Sequence, residues 1–592
     1  MLGYTPSMQL AGWLRAVGLC AVLLPVAGVA TERPVLRRPI ALELSEDEET
    51  LYVANRRSGS LSIIDLATSS VVDEIKVGRK LSDLARVAKQ PWLLATDETA
   101  GELLLLETTG RQVAVRQRLA VSPYPVSIVI SPDQRRCYVA SIWSRRLSVI
   151  GLPDGGSHEA SVIGVIDLPV APRCLLLVRE GTRLIVGDAF GGRLAVIDTD
   201  RMELLAIREF PGHNVRGLGV SSDGRMLLIA HQMLNELAHT VRNDVHWGLL
   251  MSNDLRWLRL DAVLDPEADL YAGAHMHPLG EAGSATGDPA GLMVAGDGTA
   301  VVTLGGVGEV AVGREKDFSL YRIRVGRRPT DVVISRDGTR AYVANTFGES
   351  VSILDIGERE PKGKIRLGTQ IELAELSKVD RGELLFYDAG LSHDGWMSCH
   401  SCHTDGHTNG LLNDNFSDAS FGAPKRVLSL LGRRDTQPFA WNAEAKDLAT
   451  QIRKSITNTL QTDREPTEEQ ISALAAYLET LDGPPSIDRL RGTEDPPAID
   501  RGGKLFRSLA CVRCHRPPTY TTPKTYAVGL ADKLGNDRFN PPTLRGVGQR
   551  GPYFHDNRAT ALEDVFRTHR HQLKRSLTDQ ELSDLLAFLR SL

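Results

Sequence analysis

Cysteine is scarce. Seven residues in a chain of 592 cannot build a disulfide scaffold, so what matters is where they sit. A surplus of positive charge is missing too. Lys and Arg number 69 against 74 Asp and Glu, a formal net charge of −5, which excludes the basic stripe of a nucleic-acid binder. After residue 30 no stretch is apolar over the ~20 residues that a membrane-spanning helix needs. Methionine ends at Met397, so no thioether can serve as a metal ligand beyond it. What is present suits folded domains: 42% hydrophobic and 24% charged residues exclude wholesale disorder. At ~100–200 residues per domain the length asks for about three to five of them.

Residues 1–30 read as a secretory signal. Arg15 is their one charge, and Ala16 to Ala30 form an apolar run ending in small residues. The run is short for a membrane span and Pro25 interrupts it, although an uncleaved anchor is the other reading. Cys20 lies inside the run, which argues against a lipidated N-terminus. The mature chain is expected to begin near Thr31, to be soluble with no membrane span, and to work in the periplasm.

From 38 to 369 the chain repeats itself. LYVANRRSGSLSIIDL (51–66) parallels AYVANTFGESVSILDI (341–356), and CYVASIWSRRLSVIGL (137–152) and LIVGDAFGGRLAVIDTD (184–200) follow the same pattern. Each unit is a β-branched strand, a polar turn and a second alternating strand, preceded by turns such as SSDG (221–224). The period of about 40–50 residues is that of four-stranded propeller blades. Seven units start near 38, 79, 123, 172, 213, 281 and 327, which predicts an all-β seven-bladed propeller. The strings resemble YVTN-type propellers, an architecture that serves enzymes, platforms and scaffolds alike. Cys137 and Cys174 lie in neighbouring units, as a disulfide or as two buried small hydrophobes. The fifth unit is the longest. It holds His213, His231, His239, His246, His275 and His277, a metal-binding set or a loop facing the next domain.

Past 370 strands give way to helical periodicity. Cys399-His400-Ser401-Cys402-His403 and Cys511-Val512-Arg513-Cys514-His515 are both CxxCH. Two thiols three apart on a helical turn can each bond one vinyl group of a haem, and the adjacent His then lies under the iron. Zinc would need four ligands closing a tetrahedron, which this contiguous set suits poorly. The flanks duplicate as well. RGELLF (381–386) parallels RGGKLF (501–506), and PTEEQISALAAYLETL (466–481) parallels LTDQELSDLLAFLRSL (577–592). Two tandem all-α cytochrome c folds follow, at 373–485 and 499–592, joined by a Pro-rich linker at 486–498. Two covalently bound haem c groups are the cofactors.

LSHDGWMSCHSCH (391–403), the stretch from Trp441 to Gln451 and PPTLRGVGQRGPYFHDNRATALEDV (541–565) resemble the bacterial di-haem cytochrome c peroxidase and MauG family. The resemblance implies a peroxide-reacting iron on His403 and an electron-transfer iron on His515. By alignment with that family Gln451 is the distal Gln and Trp441 the aromatic relay between the haems. The family's distal Pro falls at Ser455 and its acidic residue at Gln461, which cannot shuttle a proton as a carboxylate does; Glu465 is the alternative if the loop shifts. Its calcium-holding Asn falls at Arg426, which makes calcium doubtful. The sixth ligand of the second haem, Met or Tyr in the family, counts to His569, with His571 as alternative. Arg545 is expected to pair with a propionate, and His555 to hydrogen-bond near one. His393 and His407 flank the first motif as possible caps for its iron.

The leading reading is a periplasmic di-haem oxidoreductase. It activates hydrogen peroxide at the first haem and draws electrons through the second from a small cytochrome c or cupredoxin, or from a protein substrate docked on the propeller. The competing reading is a non-catalytic electron carrier with a propeller docking module. A separate active site in the propeller is disfavoured, since 38–369 carries no further cofactor signature.

Overall fold

The computed structural model of the chain describes residues 35–153, 159–369, 371–416 and 419–592. The expected leader at 1–30 lies outside the described residues. Among these residues no helix is long and apolar enough to cross a membrane.

Between 39 and 366 the strands form antiparallel sheets in chain order. Blades one, two, three, six and seven are separate four-stranded sheets. Blades four and five merge into one seven-stranded sheet because the strand Glu203–Val220 serves twice. Its first part, Glu203 to Glu209, pairs with Gly191–Asp198 as the outer strand of blade four; from His213 it pairs with Met226–Leu234 as the inner strand of blade five. The seven innermost strands pack side by side in a closed ring. Five of them begin with proline: Pro39, Pro125, Pro172, Pro289 and Pro329. The first residue of an edge strand is where a missing N–H costs nothing.

A hydrophobic cluster fills each gap between neighbouring blades. The gap that closes the ring is filled by Leu42, Leu51 and Val53 of blade one against Tyr342, Ala344 and Val351 of blade seven. Blade one takes all four strands from 39–76 and blade seven from 329–366, so closure rests on side chains. Asp331 accepts from the Leu42 N–H at 2.8 Å, and Glu349 from the Arg38 N–H at 3.1 Å. The repeated Asn has one structural task. Asn55 donates to the hydroxyls of Ser60 and Ser62, and Asn345 to those of Ser350 and Ser352, pinning the turn between the two central strands of a blade. Cys137 and Cys174 are both free. Cys137 is buried between blades two and three, whereas the Cys174 Sγ lies 3.5 Å from the Val215 carbonyl.

The duplicated helical flanks fold as duplicated pairs. Helix α1 (Lys378–Phe386) crosses α4 (Glu468–Leu478), with α2 (Cys399–Cys402) and α3 (Leu448–Lys454) between them in sequence. Helix α5 (Pro496–Ser508) likewise crosses α6 (Asp579–Ser591). A Cβ on Gly382 would stand 1.9 Å from the Ala473 carbonyl oxygen, and one on Gly502 1.9 Å from that of Asp584. Only glycine allows either crossing.

The helical module is mounted on the propeller. Val245, Leu250 and Met251, from the long fifth unit, share one apolar core with Phe386, Trp396, Ile452 and Ile471. The fifth-unit insertion therefore faces the first haem domain. The second haem domain and its linker bear on blade three: Arg491 donates to the carbonyls of Ser144 (2.8 Å) and Arg145 (2.9 Å), and Gln549 to that of Trp143 (2.7 Å).

Candidate haem sites

The first CxxCH turn is built from both sides. Ser398 caps α2, and its hydroxyl and that of Ser401 donate to the two oxygens of Asp288 in the propeller, at 2.6 and 2.7 Å. On the other side Cys399, Cys402 and His403 line a cavity of about 230 Å³. Burial pushes both thiols up to about 12. Thiols this reluctant to ionise are poor metal-binding thiolates, whereas neutral thioethers fit the same place. Burial also pushes His403 down to about 4, so its imidazole is neutral, as an iron ligand must be.

The cavity's polar lining fits a haem. Arg426 and Arg433 line it, and Arg550 is close enough to repel both; none has a carboxylate partner among the described residues, and Arg426 Nε and Arg550 Nε are buried without a hydrogen-bond partner. Burial, and for Arg433 and Arg550 mutual repulsion, lowers all three, Arg426 and Arg433 to about 10. Three buried guanidinium groups without an anion are costly. The propionates of a bound haem would supply that anion. Arg545, the expected propionate partner, is already held by Asp435 through two contacts at 2.7 and 3.1 Å. Reading motif by motif missed this cluster because Arg550 lies more than a hundred residues from Arg426 and Arg433.

Gln451 lines the same cavity. Its amide nitrogen donates to the Ser455 hydroxyl at 3.2 Å, and its Oε1 is buried without a partner. The helix widens into a π-turn over Ser455–Thr459, a distortion frequent at functional sites. Gln461 is not at the cavity. Its backbone turns to φ 51° and its amide donates to the carbonyls of Thr240 and Asn458, both at 2.8 Å. Glu465 is exposed. No carboxylate lines the cavity among the described residues. Neither flanking His reaches it: His407 is bound between the Ser429 hydroxyl and the Gln549 carbonyl, both at 3.0 Å, and His393 to Asp463.

Trp441 lies between the two haem domains. Its indole donates to the Arg426 carbonyl at 2.9 Å, and its ring meets Phe539 and His555 edge-on, with centroids 6.4 and 6.2 Å away. His555 stacks on Phe539 at 4.3 Å.

At the second motif Cys511, Cys514 and His515 stand together on a 3-10 turn and its continuation. The His515 Nδ1–H donates to the Tyr520 carbonyl at 3.1 Å, which leaves Nε2 for iron. Burial lowers His515 to about 4, and a second imidazole adds to the shift: that of His571. Burial lowers His571 itself. His569 is turned away, its Nε2 meeting the Arg558 carbonyl at 3.0 Å. Of the two candidate histidines, His571, the alternative, is the one whose imidazole acts on His515. The chain leaves the short helix Asp564–Arg567 through positive φ at Arg570 and Gln572.

The model of a di-haem cytochrome c peroxidase family matches residues 376–483, and a cytochrome c model matches 499–592. The cytochrome c551 peroxidase of Nitrosomonas europaea is 29% identical over 277 residues, covering 37% of this chain and 80% of that protein. The methylamine utilization protein MauG of Methylorubrum extorquens is 28% identical over 281 residues, 36% of this chain and 78% of that protein. A solved chain of Kuenenia stuttgartiensis hydrazine synthase aligns over 55% of this chain and 98% of its own length, with a TM-score of 0.48 and 19% identity. With two CxxCH sites that fit their cofactor, the chain is a di-haem cytochrome c peroxidase-like oxidoreductase, carrying two covalently bound haem c groups in a helical module mounted on a β-propeller.

Proposed function

We propose that the chain reduces hydrogen peroxide in the first haem cavity, with electrons arriving through the second haem domain from a small cytochrome c or cupredoxin in the periplasm. Haem c supplies, when bound, a redox-active iron above each CxxCH His; the remaining tasks fall to side chains. The observation that carries the reading is Gln451, whose Oε1 is buried without a partner in the cavity of Cys399, Cys402 and His403. A buried, unsatisfied acceptor is retained where a ligand satisfies it. There it accepts a hydrogen bond from the peroxide O–H, while Ser455 holds the amide in place. With no carboxylate lining the cavity, protons move over hydroxyls and water rather than through an acid of matched pKa, so turnover is expected to be slow. Trp441, in contact with both haem domains, serves as the relay, and His515 and His571 would hold the iron of the second haem. The propeller acts as a docking module, and the first partner it docks is the chain's own haem module.

The test is stopped-flow mixing of the reduced holoprotein with hydrogen peroxide. Gln451→Ala is expected to slow oxidation by about 10²-fold, the usual effect of one positioned polar group. Gln461→Ala is expected to leave the rate unchanged. The missing carboxylate favours a second reading, a di-haem electron carrier that does not turn over peroxide. Two low-spin haems that do not respond to peroxide decide for the carrier.

A further inference from the structure

Three groups outside the haem cavities converge on one point. His246 ends the short helix Arg242–His246 in the fifth-unit insertion. His393 and Asp394 stand in the loop that leads to Cys399. His246 Nδ1 lies 2.6 Å from Asp394 Oδ2, and His393 Nε2 lies 3.4 Å from the same oxygen. One ligand atom from each residue falls within 4.8 Å of the others. Ligands about 2.1 Å from a tetrahedral ion stand about 3.4 Å apart, so small rotations complete the triangle.

The surroundings hold these atoms as a metal site holds its ligands. The His393 Nδ1–H is engaged by Asp463 at 3.0 Å, which leaves the Nε2 lone pair aimed at Asp394. A carboxylate behind a histidine fixes tautomer and ring orientation at metal centres. Arg242, on the same short helix as His246, pairs in turn with Asp463. The Trp396 indole donates to the His246 carbonyl at 3.1 Å, and the Gly283 N–H to Asp394 Oδ2 at 3.1 Å. Asp394 is itself held at φ 58°, a conformation that costs a non-glycine residue energy and persists where the surroundings require it. The His246 side chain is 35% exposed and those of His393 and Asp394 10% and 15%, so the cluster is reached from water through His246.

We infer that His246, His393 and Asp394 bind a divalent first-row transition-metal ion, zinc by preference, at the seam between the propeller and the first haem domain. Two imidazoles and a carboxylate suit such an ion, with the remaining coordination position left to water. The site joins the fifth-unit insertion to the loop six residues before the first haem thiol. It is separate from both haem irons and rests on nothing proposed about peroxide.

The test uses the full-length holoprotein, treated with chelator, loaded with zinc chloride and desalted. Iron and zinc are then counted by elemental mass spectrometry. The wild type is expected to hold one zinc for every two haem irons. His246→Ala and Asp394→Asn are expected to lose that zinc, and Asp463→Asn to weaken it about 10–100-fold. His275→Ala, at a similar imidazole–carboxylate pair with Glu315, is expected to keep it. Unchanged far-ultraviolet circular dichroism and native visible haem spectra show that each variant is folded. A wild type without zinc, or variants that keep it, would overturn the assignment and leave the cluster a hydrogen-bonded seam.

Discussion

Ser401 donates a 2.7 Å hydrogen bond to Asp288 from inside the first haem-attachment motif, so a propeller carboxylate holds the turn that carries Cys399, Cys402 and His403. Asp288 is buried, which raises its carboxyl above the usual range, and Ser398 is its second donor. Truncation leaves two buried hydroxyls without an acceptor, at about 1–3 kcal/mol each. Asp288→Ala is expected to lower thermal stability and shift the first haem's spectrum, and Asp288→Asn to restore part of both. A variant with wild-type Tm and spectrum would show that the contact does not hold the turn.

The two C-terminal histidines separate cleanly. His571→Ala removes the imidazole that acts on His515 and is expected to convert the second haem from low to high spin in the EPR spectrum. His569→Ala, whose ring meets the Arg558 carbonyl and Phe554, is expected to leave that spectrum unchanged. The opposite pattern would restore His569 as the ligand.

Arg433 lines the first haem cavity, and its Nε is held by the Ser429 carbonyl at 2.9 Å. A buried cation beside a haem favours the reduced state, whose net charge is one unit more negative. Arg433→Gln is expected to lower the midpoint potential of the first haem, read by spectroelectrochemistry, with the second haem unchanged. An unaltered potential would place the guanidinium away from the propionates.

Three carboxyl groups sit on the innermost strands of the propeller. Burial pushes Glu43 up to about 8, Asp331 to about 7 and Asp83 to about 6. Each is raised above its unfolded value, so the stability it lends is complete below about pH 4 and is lost as pH rises through 6 to 8. Asp331→Asn keeps an oxygen for the Leu42 N–H without the charge. It is expected to match the wild type at pH 5 and to exceed it by on the order of 1 kcal/mol at pH 8, less than the full shift implies because Asp331 is only partly buried. A stability difference independent of pH would show that Asp331 ionises normally.

What could be read from the chain is what is encoded locally. The Asn of LYVAN and AYVAN and the two serines that follow it lie within seven residues and make their hydrogen bonds there. CxxCH is one helical turn. The glycines of RGELLF and RGGKLF carried a signal as well: duplicated small residues at a helix crossing. The rest depends on distance across the fold. Arg426, Arg433 and Arg550 look like ordinary basic residues until their segments meet. Gln461 keeps its place in an aligned row while a left-handed backbone turns it toward Thr240. His246 and His393 are 147 positions apart, so no spacing rule links them.

The strand Glu203–Val220 belongs to two blades at once. Elsewhere a blade can in principle swing open on side-chain contacts alone, but separating blades four and five means breaking a continuous hydrogen-bonded backbone. That makes the pair one cooperative folding unit, where exchange of amide protons should be slowest. The insertion bearing His246 and the apolar core under the first haem grow from this unit. The first haem domain therefore stands on the two blades that share a strand.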